Sequence, residues 1–179
     1  PFLLSPPINA LVTGLIFYRK WKGSFLIFSL LVIAFVFTPP VQPITENFYI
    51  AIAVLFDKII ALLLILPCVK FTKKLSAGQG SLFYFLLTFI GNQSDNMWGS
   101  FIFATPPVYE GIFGMSVDTV RFLFLASPFA YPAIRLIQAF IATLIAVPLM
   151  KTLEGTPWLW QRETILSALN GKKQQQSLA

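Results

Sequence analysis

The sequence predicts an all-α integral membrane protein, a bundle of about five transmembrane helices with its N-terminus outside and its C-terminus in the cytoplasm. Composition is the first reason: 56% of the 179 residues are hydrophobic and 11% are charged, against roughly 25% charged in ordinary soluble domains. Mean hydropathy is +0.76. The second reason is the placement of the basic residues, which mostly flank apolar stretches instead of gathering in a patch. The net charge of +6 is therefore read as topology, and nucleic acid is not an expected partner. The bilayer itself is the first partner, and a multi-pass protein of the plasma membrane is the expected setting.

Five apolar segments follow one another, at residues 2–18, 23–38, 48–69, 81–104 and 130–150. The first two lie near the lower limit of roughly 17 residues for a crossing helix. Arg19-Lys20-Trp21-Lys22 forms a tight basic turn between them, and Pro39, Pro40 and Pro43 break the chain after the second. Glu46 and Asn47 open the third segment, and Lys70, Lys73 and Lys74 close it ahead of the flexible turn Ser76-Ala77-Gly78-Gln79-Gly80. A long loop, 105–129, precedes the fifth; its apolar part from Val120 to Leu125, interrupted by Arg121, suits a surface helix or a lid. Lys151, Arg162, Lys172 and Lys173 follow the last segment. Cytoplasmic placement of the basic turns and tail puts loops 39–47 and 105–129 outside, where Arg121 is the only basic residue. Residues 1–155 then form the transmembrane bundle. Residues 156–179 form an interfacial helix anchored by Trp158 and Trp160, and a polar, disordered tail.

The fourth segment carries Gly91-Asn92-Gln93-Ser94-Asp95-Asn96-Met97-Trp98-Gly99 across its centre. An ionised group at that depth costs roughly 2.5–3.5 kcal/mol, so such a cluster needs partners. Asn92, Asp95, Asn96 and Gly99 share a helical face by three-and-four spacing, as do Arg135 and Gln138 in the last segment. Asp57 lies near the middle of the third. Packing of the fourth helix on the last would bring Asp95 and Arg135 to one level, beside a polar pocket opening outward. The same residues also suit plain helix–helix pairing, and the two roles are compatible. Asp57 and Lys58, about 100° apart on a helix, are not expected to face one partner together, which leaves Lys58 to snorkel or pair elsewhere. Trp98 suits either an interfacial belt or a ligand platform. The sequon Asn92-Gln93-Ser94 carries no meaning in mid-membrane.

Catalytic and cofactor signatures are absent. The chain has no histidine, a single cysteine (Cys68), no P-loop, no GxGxxG after a strand, no GxSxG and no Cys/His metal spacing. Neither an enzyme nor a cofactor is expected, and binding is the more economical reading.

Phe89 to Ser100, Pro106-Pro107, Gly111-Ile112-Phe113-Gly114, Pro128-Phe129, Pro132-Ala133-Ile134-Arg135-Leu136-Ile137-Gln138-Ala139 and Ile145-Ala146-Val147-Pro148-Leu149 stand in that order. This run resembles the C-terminal half of the integral-membrane substrate-binding (S) components of energy-coupling factor transporters, particularly archaeal-type ones. One position departs, since Ile134 stands where the family often has an acidic residue. The resemblance implies a fold of six helices with both ends in the cytoplasm; five crossings starting outside is that fold without its first helix. It further implies capture of a small polar micronutrient from outside, energised by a coupling membrane protein and separate ATPase subunits. The substrate-binding residues it carries over are Asn92, Asp95, Asn96, Arg135 and Gln138, with Asp57 added from depth alone. The contrary class is a non-catalytic accessory subunit of a larger membrane complex, whose polar residues pair with neighbouring chains.

The topology makes a direct expectation. Cysteines placed at Glu46 and Asp118 should react with an impermeant reagent from outside, and one beside Lys73 only from the cytoplasmic side. Labelling of Asp118 and Lys73 positions from one side would reject the arrangement.

Overall fold

A computed structural model describes residues 4–71, 80–126 and 128–153, and every regular element among them is helical. The order is α1 (Ser5–Phe17), α2 (Trp21–Val36), α3 (Ile44–Phe71), α4 (Gly80–Phe103), α5 (Pro106–Tyr109), α6 (Val117–Ala126) and α7 (Ala130–Leu153). The five apolar segments correspond to α1, α2, α3, α4 and α7, with ends shifted by no more than about one helical turn. The apolar part of the long loop lies within α6. The expected interfacial helix and tail, and the turn carrying Lys73 and Lys74, lie outside the described residues. By its contacts the chain divides into two compact units, Pro1–Leu144 and Ile145–Ala179.

In the first unit α4 packs against α1, α2 and α3. The core is made of fully buried side chains from all four helices, including Val12, Ile16, Phe28, Phe35, Ile50, Ile65, Phe83, Ile90 and Met97. The α1–α4 contact is close because Gly91 has no side chain. A Cβ there would overlap Asn9 Oδ1 and Thr13 Cγ2 of α1. Small residues let helix backbones approach where burial from water supplies no drive.

The basic turn after α1 has a defined geometry. Arg19 takes φ 61°. The Lys20 amide donates to Leu15 O at 2.7 Å and the Arg19 amide to Ile16 O at 2.9 Å. These two bonds form a Schellman closure with a non-glycine residue in the left-handed position. At the other end, Asn47 leaves helical geometry inside the first turns of α3 (φ −113°, ψ 18°). Its side-chain amide donates to Gln42 O at 3.1 Å and Pro43 O at 3.2 Å, tying the helix start to the preceding loop.

The outer faces are apolar. Leu26, Leu30 and Ile33 of α2, Ile52, Ile60 and Leu63 of α3, and Ile137, Phe140 and Ile141 of α7 are all exposed. Exposed large apolar residues in continuous stripes mark a surface meant for a non-aqueous neighbour. Ile44–Lys70 and Ala130–Leu153 are long and apolar enough to cross a membrane, while α1 and α2 are shorter apolar helices. In α4 the length is sufficient, and its polar centre lowers the hydropathy.

In the second unit the described residues are the last turns of α7, 145–153. Pro148 lacks an amide there, and Thr152 Oγ1 donates to the Pro148 carbonyl at 2.9 Å.

Gly91→Val should destabilise the protein by about 1–3 kcal/mol, the range for over-packing a tight contact. The check is the unfolding midpoint of the variant in detergent, and an unchanged midpoint would show that α1 and α4 are free to separate.

Candidate functional site

The last two to three turns of α4 build one wall of a cavity. Asp95, Asn96, Gly99, Ser100 and Phe103 recur at three-and-four spacing and face the same space. Ala53, Val54 and Lys58 of α3 face them, Leu123 and Phe124 of α6 close a side, and Tyr131, Pro132 and Arg135 enter from the start of α7. Ser5 of α1 completes the lining. The volume is about 580 Å³, within the roughly 300–1,000 Å³ of small-molecule sites. Every lining residue belongs to the first unit.

Two ion pairs stand at this cavity. Arg135 Nη1 lies 3.9 Å from Asp95 Oδ2, and both side chains are partly open, at 21% and 25%. The same Nη1 donates to Gln138 Oε1 at 3.0 Å. Lys58 Nζ lies 2.9 Å from Asp57 Oδ1, and both side chains are buried. That second pair corrects the sequence reading in one respect: Lys58 neither snorkels nor pairs elsewhere but turns to Asp57 itself. The lysine stem, four methylenes long, reaches back across the helical turn to its neighbour. The contact lacks hydrogen-bond geometry, since neither Asp57 oxygen accepts a hydrogen bond, so its attraction is Coulombic.

The six residues proposed from the sequence separate in space. Asp95, Asn96 and Arg135 line the cavity. Asn92 turns to α1, where the Asn9 side-chain amide donates to Asn92 Oδ1 at 3.5 Å. It shares the face of Asp95, but the approach of α1 beside Gly91 claims that level. Gln138 and Asp57 are not lining residues; each touches one that is, Arg135 and Lys58 respectively. Periodicity missed Lys58, Ser5, Ser100 and Tyr131 as wall residues. Lys58 was visible as a charge in an apolar segment, whereas Ser5 and Tyr131 reach the site only through long-range packing. Trp98 is not a lining residue; its ring packs on Phe101 with centroids 5.9 Å apart.

The α6 wall is held from behind. Arg121 Nε donates to Pro40 O at 3.1 Å, Nη2 to Gln42 O at 3.0 Å, and Nη1 to Asp118 Oδ1 at 3.0 Å. This explains the arginine that interrupts the apolar part of the loop. Phe124, one residue beyond Leu123 in the wall, stacks edge-on against Phe35 at 5.6 Å and Phe103 at 5.9 Å. After α5 the chain turns at two glycines. A Cβ on Gly111 would lie 2.5 Å from the Pro107 carbonyl oxygen, and Gly114 has φ +64°. Both positions therefore need glycine for the turn as it stands.

Among the described residues no three His, Cys, Asp or Glu side chains gather to hold a metal ion. No protein-family model, curated protein or solved structure matches the chain.

Asp95→Asn should destabilise more than Asp95→Asn combined with Arg135→Gln, because the single change strands a cation among apolar neighbours. The loss should stay below the about 3–5 kcal/mol of a fully buried pair, as both side chains open to the cavity. Denaturant titration of the two variants in micelles checks the order, and a double variant less stable than the single would refute the pairing.

Proposed function

We propose that this chain is a multi-pass plasma-membrane protein that captures a small polar micronutrient, acting as the substrate-binding component of an energy-coupling factor type transporter. The observation that carries the reading is the cavity of about 580 Å³, with Lys58, Asp95, Asn96 and Arg135 in its wall, inside helices whose outer faces are apolar. Charges held in such surroundings are expensive and are retained where something must be recognised.

The five-crossing arrangement with outer loops 39–47 and 105–129 draws support from Arg121. Its hydrogen bonds join α6 to the loop at Pro40 and Gln42, so these two loops meet at one end of the helices. The basic turn at Arg19 closes the opposite end of α1. The cavity lies on the α6 side, which this topology makes the outside. A ligand enters there, and α6 with its two aromatic contacts is the wall that must yield and re-form.

The chain offers no nucleotide motif, so capture and energy supply are assigned to different subunits: a coupling membrane protein and ATPases. In proteoliposomes the full-length protein should bind its ligand without ATP and accumulate none inside. Addition of the coupling protein and ATPases should produce concentrative uptake. If instead the protein copurifies in fixed ratio with an unrelated enzyme complex, its cavity sealed against those subunits and ligand-free, it is an accessory subunit.

A further inference from the structure

We propose that the captured ligand is a small organic carboxylate with an apolar body, its carboxylate seated between Lys58 and Arg135. This rests on the capture reading and names its substrate class.

Both cations stand in the cavity wall with more donors than the protein accepts. An ammonium has three donors and a guanidinium five. Lys58 is 4% exposed yet forms part of the wall, and its counter-ion Asp57 is not a lining residue. Arg135 gives Nη1 to Gln138, while Asp95 at 3.9 Å is beyond hydrogen-bond length. Arg135 Nε is buried and has no hydrogen-bond partner. An unmet buried donor is costly, and an arriving acceptor relieves that cost.

Counting Asp57 and Asp95, the four charges sum to zero, so net charge selects nothing. Distribution does. The wall itself shows two cations and a single carboxylate, and that carboxylate already faces Arg135. A cationic ligand would meet two like charges, and a neutral one would leave the donors unmet. A carboxylate accepts from both Lys58 and Arg135, with charge-assisted bonds roughly twice as strong as neutral ones. Phe103, Leu123 and Phe124 supply the apolar surface for the body of the molecule.

The probes are 3-phenylpropionate, 3-phenylpropionamide and 3-phenylpropylamine, which share a body and differ in charge. Binding to the full chain in detergent is followed by thermal shift and calorimetry. The carboxylate should bind at least about tenfold tighter than the amide, with no binding of the amine. Lys58→Met should bring carboxylate and amide within about twofold of each other. The paired variant Asp57→Asn with Lys58→Met should do the same without stranding Asp57. Equal or tighter binding of the amide or the amine overturns the carboxylate assignment and leaves the capture reading intact. A folded paired variant that keeps the carboxylate preference also overturns it. If none of the three binds, the assignment falls. Native mass spectrometry of the purified protein then decides the rest: another retained compound keeps the capture reading, and a protein free of any small molecule removes it.

Discussion

A charge enclosed by apolar helices has to find its counter-charge within reach of its own side chain, and this requirement organises the site. Asp57 and Lys58 meet it within one turn of α3, and Asp95 and Arg135 meet it between α4 and α7. The two solutions differ in kind. The α3 pair lies within a single helix, so the pairing itself fixes no tertiary contact. The α4–α7 pair exists only when two segments forty residues apart in sequence are assembled. At 3.9 Å it is loose enough to leave donors over. The looser pair is the one with both members in the cavity wall, whereas the tight pair shows the cavity only Lys58.

Much of the helical frame was legible before any coordinates, because lipid-compatible segments announce themselves by composition alone. Segments 81–104 and 130–150 were readable to within about a turn for that reason. Four-residue α5 was not, since one turn carries no period. Depth also made Asp95 and Arg135 legible as a pair, because two isolated charges at one level have few alternatives. The same logic did not foresee the neighbour of Asn92. Asn92 lies on the right face, but the level is taken by Asn9, and that depends on how closely α1 approaches Gly91. Periodicity assigns faces, whereas long-range packing decides which neighbour each level of a face receives. Lys58 escaped for a different reason: a helical wheel records where a side chain leaves the backbone and not how far its stem folds back.

Movement near the site is constrained unevenly. Gly111 and Gly114 each occupy a place where a side chain would collide or strain the backbone. They make the turn after α5 possible in one shape. The α1–α4 contact is likewise closed down by the absence of a side chain at Gly91. The α6 wall is secured differently, by hydrogen bonds from one arginine and by ring contacts of Phe124.

That arginine grips main-chain oxygens at Pro40 and Gln42, which every amino acid possesses. The information for the joint is therefore written on one side alone. The receiving loop is at liberty to change its side chains provided its path is kept, and the latch still fits. The reverse is not true, because no other side chain offers three donors in that fork. An asymmetric latch of this sort concentrates the polar hold on α6 in Arg121.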